Sequence, residues 1–479
     1  MLFNSIEFLV FFGLLTTLYF IVPHRFRWFL LLTASVIFYM SLIPVYIFVL
    51  AFLILVDYIA GIFIEKNKGN KRKPFLLISI IATCSALFFF KYFNFFGSNL
   101  TELAKLIGWN YSIGALSIIL PIGLSFHTFQ SLSYVIEVYR GKQKAERNIG
   151  IYALYVMFYP QLVAGPIERP QNLLHQFREK HNFDYKNVIE GLRLMLWGLF
   201  MKIVIADRLA ILVNTVYANP TDYTGIPLIL GTLFFGFQIF CDFAGYSTIA
   251  IGAARVMGFR LMKNFNRPYF SSSVSEFWRR WHISLSTWFR DYLYIPLGGS
   301  KKGRPRWHIN IPIVFLISGL WHGASWTFVI WGALHGLYIL ITAMTQKPRN
   351  KIISLVKLNK SPKIYKFLSI AITFCLVTFA WIFFRANSVS DAVYISTHLF
   401  SGIKFDFSGL RVGLGWQEIF VSFGLILFME ITHLVQSQIN LMESFSRRKT
   451  ILKWGCYIAL ILAIIFLGHA SEKFIYFQF

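Results

Sequence analysis

The sequence predicts an all-α protein that crosses a membrane many times. Hydrophobic residues make up 56% of its 479 residues and charged residues 14%, whereas soluble proteins average about 25% charged residues. The apolar residues form long runs of the length that a spanning helix needs, about 20 residues. None of these runs shows the alternating pattern of a membrane β-strand. Together these observations exclude a soluble enzyme, a disordered chain and a disulfide-rich scaffold.

The apolar runs give the order of the predicted helices. The second and third are separated by Pro44, and the uncharged stretch 307–346 is too long for one crossing at about 1.5 Å per residue, so we expect it to break near Gly323. We expect about 11 true crossings, with the other runs forming short, re-entrant or interfacial helices. The candidate runs are 6–22, 27–43, 46–64, 75–93, 113–138, 150–165, 187–206, 227–254, 309–322, 325–345, 366–384, 417–436 and 453–470.

The charge of the chain is strongly positive, with 46 Lys and Arg against 21 Asp and Glu, a formal net charge of +25. The cations lie in short blocks between apolar runs, as the positive-inside rule describes, rather than on a basic recognition domain. This distribution argues against nucleic-acid binding. Blocks 66–73 and 140–147 are predicted to be cytoplasmic and loop 94–112 external. Counting crossings from these loops predicts that both termini are external.

The cysteines and the first apolar run have simple interpretations. The four cysteines lie far apart in apolar surroundings and form no CxxC or metal-ligand spacing, so we expect buried thiols and no metal site. The run 6–22 is not followed by an A-x-A-type cleavage site, which predicts a retained membrane anchor.

Segment 275–292 combines aromatic and cationic residues. On one continuous helix its tryptophans would share a face, and Arg279, His282, Ser286 and Arg290 would share another face about 120° away. Such a pattern fits a plain interfacial helix. It equally fits an aqueous funnel that faces an anionic ligand.

A glycine pair and a cationic stretch follow this segment. Gly298-Gly299 permits close approach of backbone to a ligand, and Arg and Lys side chains can hold phosphates. The stretch could also be a loop retained by the positive-inside rule. It matches no Walker motif, so nucleotide hydrolysis is not indicated. The cations are Lys301, Lys302, Arg304 and Arg306.

His322 lies in the apolar sequence SGLWHGASW at 318–326, between Trp321 and Gly323. An imidazole has a reference pKa near 6.5 and can accept a proton at neutral pH. A lone membrane histidine is also often a hydrogen-bonded structural residue, and His335 carries the same ambiguity. Neither histidine is accompanied by a Ser-His-Asp or zinc-binding pattern.

Two further polar features precede these segments. The stretch 159–170, which contains Gln161, is rich in Pro and Gly and fits a cavity lining or a loop that ends a helix. Within 227–254, Gln238, Asp242 and Tyr246 recur every fourth residue and share one helix face. That face holds an intramembrane carboxylate, interpreted as functional or as part of a structural hydrogen-bond ladder.

Taken together, these stretches resemble the membrane-bound O-acyltransferase (MBOAT) family, and within it the bacterial alginate O-acetylation branch. The family's defining histidine falls on His322, and its second recurrent polar position falls on His282. The stretches that carry the resemblance are QLVAGPIERP at 161–170, FCDFAGYS at 240–247, NFNRPYFSSSVSEFWRRWHISLSTWFRDYLYIPLGGS at 264–300 and SGLWHGASWTFVIWGALHG at 318–336.

The resemblance implies a single membrane domain over 1–479, with N-terminal helices at 1–110, a catalytic core at 111–346 and C-terminal helices at 347–479. It implies helices around a central funnel, with His322 at the narrow waist and His282 as a second catalytic residue. The funnel would admit an acyl thioester from the cytoplasm and a hydroxyl acceptor from outside. The residues expected to line it or bind the donor are Arg279, Ser286, Arg290, Arg304, Gln161, Asp242 and Trp321.

The function that the resemblance implies is O-acetylation of an extracellular polysaccharide or of the cell wall, at the bacterial cytoplasmic (inner) membrane. Acetyl-coenzyme A is the expected donor substrate, and no bound cofactor is expected. An extracytoplasmic SGNH-type protein is the expected partner. D-alanyl transfer from a carrier-protein thioester to teichoic acid stays open as an alternative. A transporter or flippase and a non-catalytic scaffold are alternatives from other classes.

Overall fold

The computed structural model forms two compact units along the chain, residues 1–195 with 247–262 and residues 196–246 with 263–479. The described residues contain helices and turns and no strand. This confirms the predicted all-α fold class. The residues that the structure describes are 1–41, 44–109, 114–116, 121, 123–162, 165–300, 303–357, 360–403, 412–469 and 474–475.

The first unit begins with a series of apolar helices. The break between α2 and α3 falls at the short 3₁₀ turn Pro44–Tyr46, as Pro44 predicts, because proline lacks a backbone donor and cannot continue a helix. Residues Phe88–Tyr92 form a π-helical turn between α4 and α5. The helices are α1 Ile6–Ile21, α2 His24–Met40, α3 Ile47–Lys66, α4 Lys73–Leu87, α5 Phe93–Leu106, α6 Leu124–Tyr139, α7 Ile149–Met157, α8 Tyr159–Leu162, α9 Pro170–Leu173 and α10 Tyr185–Leu199.

The second unit contains most of the remaining helices. The end of α10 and the first part of α12 belong to this unit, and the last turns of α12 belong to the first unit. The helices are α11 Asp207–Ala218, α12 Ile226–Val256, α13 Val274–Arg280, α14 Ile283–Phe289, α15 Arg304–His322, α16 Trp326–Met344, α17 Gln346–Leu355, α18 Pro362–Arg385, α19 Val389–His398, α20 Trp416–Gln438, α21 Leu441–Ser446 and α22 Thr450–Leu467.

Within the described residues, seven helical stretches are long and apolar enough to cross a membrane. The protein is therefore a multi-pass membrane protein, and the number of about 11 crossings stays a prediction. The seven stretches are Pro44–Lys66, Gly69–Leu106, Ile226–Val256, Trp326–Met344, Pro362–Arg385, Trp416–Gln438 and Thr450–Leu467.

Two predicted helices differ from those in the structure. The run 150–165 is not one helix, because α7 ends at Met157 and α8 is a single turn that contains Pro160. The run 187–206 does not end at 206, because the π-helical turn Phe200–Ala206 leads directly into α11. By contrast, the predicted break near Gly323 is confirmed, since α15 ends at His322 and α16 begins at Trp326.

Candidate active site

His322 lies at the C-terminal end of α15, where that helix packs closely against α16. A Cβ atom on Gly319 would lie 2.3 Å from the carbonyl oxygen of Phe328, and one on Gly332 would lie 2.3 Å from that of Phe315. Only glycine permits this backbone contact, because a Cβ atom does not approach a carbonyl oxygen as closely as 2.3 Å. The two glycines thus bring the first turns of α16 against the end of α15.

Aromatic rings surround the His322 imidazole, which is 3% exposed. The ring centroids of Trp321 and Trp331 each lie 4.9 Å from that of His322, and the centroid of Phe384 lies 5.3 Å away. All three rings meet the imidazole at steep angles, between 71° and 87°. We call these four residues the histidine cage. Its walls exclude bulk water, which strengthens the electrostatic interactions made inside it.

His282 adopts a left-handed backbone conformation, with φ 42° and ψ 56°. This conformation is uncommon for residues other than glycine and is often found at functional sites. Together with the extended Trp281, it interrupts the helical backbone, so α13 and α14 are separate helices. The prediction of one continuous helix over 275–292 is therefore wrong. Because α13 and α14 are separate helices, Arg279, His282, Ser286 and Arg290 do not share one helix face.

Asn264 holds the turn that contains His282. Its backbone oxygen accepts a hydrogen bond from the amide of Ile283 at 2.9 Å. Its side-chain Oδ1 accepts bonds from the amide of Ser284 at 3.3 Å and from the Ser284 hydroxyl at 2.9 Å. Asn264 and Ser284 are both buried. A residue outside the helix thus caps the start of α14 and fixes the backbone that follows His282.

Trp321 lies between the two histidines. Its ring centroid is 6.2 Å from that of His282 and 4.9 Å from that of His322. On its other side, His282 packs edge-on against Phe243 at 4.6 Å. The structure therefore brings His282, Trp321 and His322 together, which are three of the residues that the sequence singles out.

The third histidine, His335, is paired with an indole. The Nε1–H group of Trp278 donates to His335 Nδ1 at 3.2 Å, and both residues are buried. Trp331, a member of the histidine cage, also contacts this pair, with its centroid 5.0 Å from that of His335. This geometry favours the structural interpretation of His335.

Asp242 of α12 belongs to a buried charged cluster with residues of the π-helical turn Phe200–Ala206 and of α11. Lys202 Nζ lies 2.7 Å from Asp242 Oδ1 and 2.6 Å from Asp207 Oδ1, and all three side chains are at most 3% exposed. Asp242 Oδ2 also accepts a hydrogen bond from the backbone amide of Ile475 at 2.7 Å. The Tyr246 ring lies 5.8 Å from Lys202 Nζ. We call Lys202, Asp207 and Asp242 the Lys202 cluster.

The cationic residues predicted to bind the donor are mostly exposed. Arg279 is exposed, and Arg290 pairs with Asp291 at 2.8 Å with 59% of its side chain exposed. Ser286 is half-buried, and its hydroxyl donates to the carbonyl oxygen of Trp281 at 3.2 Å. Lys301, Lys302 and the side chain of Arg304 lie outside the described residues.

Gly298 and Gly299 have φ values of 108° and 53°, conformations that favour glycine. The buried Asn310 of α15 donates to the carbonyl oxygens of Leu297 and Gly299, at 3.4 and 3.1 Å. These bonds tie the glycine turn to α15, whose other end carries His322. The turn is thus an ordered part of the second unit.

Gln161 belongs to the first unit and is described there. It is buried, and its Nε2 donates to the carbonyl oxygen of Tyr155 at 2.8 Å. Nearby, Glu168 is fully buried, and its Oε2 accepts a bond from Asn172 at 3.4 Å. These bonds show that Gln161 and Glu168 are both packed into the first unit.

Three residues of the site were not predicted from the sequence: Trp331, Asn264 and Lys202. Trp331 precedes Gly332, and that neighbouring small residue is a weak signal for a close helix contact. Lys202 stands alone in an apolar run, and an isolated intramembrane cation is a signal of a buried pair. Asn264 has no local signal, because its partners Ile283 and Ser284 are about 20 residues away in the sequence.

The fold and the site together define a multi-pass membrane protein with a buried pair of histidines in an aromatic environment. The profile of the MBOAT, membrane-bound O-acyltransferase family, matches residues 147–386, which include both histidines and the Lys202 cluster. The chain belongs to this family. It is therefore an O-acyltransferase, and the resemblance drawn from the sequence motifs is confirmed.

Individual relatives extend the match beyond the family profile. The protein named "Probable alginate O-acetylase AlgI" of Pseudomonas aeruginosa is 38% identical over 405 residues, covering 84% of this chain and 75% of that protein. The peptidoglycan O-acetyltransferase of Helicobacter pylori is 35% identical over 392 residues, covering 76% and 72%. The teichoic acid D-alanyltransferase of Bacillus subtilis is 27% identical over 282 residues, covering 56% and 69%.

Proposed function

We propose that this protein transfers acetyl groups from a cytoplasmic thioester donor to a hydroxyl acceptor, for O-acetylation of an extracellular polysaccharide or of the cell wall. The observation that carries the proposal is the buried His322 in its aromatic cage, within a chain whose similarity to O-acetylating relatives covers most of its length. We take acetyl-coenzyme A as the donor. No resident cofactor is required for this chemistry.

His322 acts as general base in this proposal. A hydroxyl is a weak nucleophile, and its proton passes to the imidazole as its oxygen forms a bond to the thioester carbonyl carbon. The carbonyl π electrons move onto oxygen and give a tetrahedral oxyanion. When this intermediate collapses, the C–S bond breaks, and the thiolate takes the proton from His322. The products are an ester and a free thiol, and no acyl-enzyme is needed.

In this proposal, His282 is the second polar residue at the reaction site. Its left-handed backbone and the hydrogen bonds that Ile283 and Ser284 donate to Asn264 hold it in one orientation beside Trp321. With both histidines fixed, the site can hold donor and acceptor in a reactive orientation. The reaction between them then becomes effectively unimolecular. Arg279, Arg290 and Arg304 are proposed to meet the phosphates of the donor, and Ser286 to line the path to it.

Location and partners complete the proposal. We place the protein in the bacterial cytoplasmic membrane with both termini external, since cation blocks 66–73 and 140–147 then face the cytoplasm. An SGNH-type extracytoplasmic protein is proposed to receive the acetyl group or pass it to the polymer. We retain one membrane domain over 1–479, with its catalytic core at 111–346.

The test is transfer of radiolabelled acetyl groups from acetyl-coenzyme A by the purified protein in proteoliposomes. We expect labelled acceptor with the wild-type protein and none with His322→Ala at equal abundance. Normal transfer by His322→Ala would show that His322 is not the base.

D-alanyl transfer is the second candidate. It is supported by the similarity to the Bacillus subtilis teichoic acid D-alanyltransferase and by the exposed cations of the 279–306 segment, which could dock an acidic carrier protein. The lower identity and coverage of that relative favour acetylation. Supplying either acetyl-coenzyme A or a D-alanyl carrier thioester in the same assay separates the two donors.

A further inference from the structure

We propose that the indole N–H of Trp331 is the hydrogen-bond donor that stabilises the oxyanion during acyl transfer. The proposal rests on the proposed function, because it assigns a role within that reaction. Trp331 would then touch the reacting carbonyl oxygen, opposite the imidazole that takes the proton. Neither the family match nor the relatives assign a role to this residue.

The position of Trp331 carries the first part of the argument. Its ring is fully buried and meets the His322 imidazole at 4.9 Å and 87°. The backbone contact at Gly332 brings it there, since any side chain at that position would collide with the carbonyl of Phe315. Trp331 is thus held beside the proposed base by a close backbone contact between α15 and α16.

The chemistry of its N–H group carries the second part. Buried indole N–H groups usually have a hydrogen-bond partner, and a buried donor without one is costly. Across the described ranges of the chain, Trp331 Nε1 has no such partner. The neighbouring Trp278 differs, because its N–H donates to His335 Nδ1 at 3.2 Å. A costly free donor beside a proposed base is what a site preorganised for a developing anion requires.

Other groups near His322 fit this role less well. The indole of Trp381 stacks on Trp331 at 5.7 Å, so it lies behind Trp331 rather than against His322. Trp321 also contacts His322, but its ring lies between the two histidines. Phe384, the ring that α18 contributes to the cage, has no N–H group to donate. Trp331 therefore combines contact with His322 and an available donor.

The step is a change in charge at one oxygen. As the acceptor oxygen bonds to the carbonyl carbon, the carbonyl oxygen gains the π electron pair and a negative charge. The Trp331 N–H donates a hydrogen bond to that oxygen without transferring its proton. The bond weakens again when the C–S bond breaks and the carbonyl re-forms.

The experiment compares Trp331→Phe with Trp278→Phe, using acetyl transfer in proteoliposomes and thermal unfolding in detergent. Phenylalanine keeps an aromatic ring in each position but removes the N–H. For Trp331→Phe we expect kcat to fall about 10²-fold or more, the typical loss for one oxyanion donor, with little change in KM. Both Trp→Phe changes lose the same buried ring volume, but Trp331→Phe loses no hydrogen bond, so its melting midpoint should fall less than that of Trp278→Phe.

Trp278→Phe should behave in the opposite way. It loses the bond to His335, so its melting midpoint should fall while kcat changes less than for Trp331→Phe. A Trp331→Phe enzyme with kcat close to wild type would overturn the proposal. So would a loss of stability as large as that of Trp278→Phe with a similar loss of rate, because the N–H would then be structural.

A second variant, which retains a hydrogen-bond donor, keeps the test valid if Trp331→Phe does not fold. Trp331→Gln carries an amide N–H₂ donor, and we expect it to retain more kcat than Trp331→Phe. Equal or lower kcat in the Gln variant would count against the proposal. Absence of transfer by the wild-type protein would instead refute the proposed function, so the two failures are distinguishable.

Discussion

The Lys202 cluster and the histidine cage are both buried in the second unit, but they use polar groups in different ways. In the Lys202 cluster, one ammonium lies within 2.7 Å of two carboxylates, and a backbone amide donates to one of them. In the cage, the His322 imidazole is bounded by rings, and the Trp331 N–H has no partner across the described ranges of the chain.

This difference distinguishes polar groups that stabilise the fold from polar groups that can take part in the reaction. Charges that satisfy one another at short distances resist change, because removing one leaves another buried without compensation. The Trp331 N–H inside the apolar cage is instead available to a substrate. We therefore expect changes in the Lys202 cluster to alter folding first and changes in the cage to alter rate first.

The largest effect is expected for His322→Ala. Loss of a general base costs about 10²- to 10⁴-fold, so acetyl transfer should fall to background. The measurement is radiolabelled transfer at matched protein abundance, with the melting midpoint as the control for folding. A variant that loses activity only in proportion to its loss of folded protein would place His322 among the structural residues.

Lys202→Met should mainly destabilise the fold. It leaves two buried carboxylates without their cation, and breaking a buried ion pair typically costs about 3–5 kcal/mol. The measurement is the melting midpoint in detergent. Lys366→Met, a change at an exposed lysine of the same unit, is the matched control. Full stability with lost transfer would instead make Lys202 part of the chemistry and erase the distinction.

Asn264→Ala should lower both rate and stability to an intermediate degree. The cap of α14 is lost, at about 1 kcal/mol, and His282 is held less firmly, which we expect to lower kcat by about tenfold. Asn264→Asp keeps the oxygen that accepts from Ser284 and should recover part of both losses. Equal kcat in the two variants would mean that these bonds do not position His282.

Arg290→Ala should have the smallest effect. The side chain is exposed and already paired with Asp291, and exposed pairs contribute about 0.2–1 kcal/mol. A contact between this exposed side chain and a donor phosphate should be worth about as much, so donor affinity should fall by no more than about fivefold. Arg447→Ala, at another exposed ion pair, is the control. Unchanged donor affinity in the double variant Arg290→Ala/Arg304→Ala would leave these cations as topology signals only.

The sequence predicted much of the fold because helix formation in a membrane follows from local composition. Apolar runs, Pro44 and the glycine near position 323 set helix ends that the structure confirms. Prediction was wrong where local geometry departs from a regular helix, as at the left-handed His282 and the π-helical turn Phe200–Ala206. Such departures cost energy locally and are compensated by contacts from distant residues such as Asn264.

By itself, the sequence determined the fold class, the two histidines and the Trp321 beside them, because short motifs carry these features. Tertiary structure alone decided which polar groups are satisfied. It paired Asp242 with Lys202, 40 positions earlier in the chain, and it placed the Trp331 ring against His322 through two glycine contacts. Hydrogen bonding and ring contact depend on distance in space, which helix periodicity does not encode between separate helices.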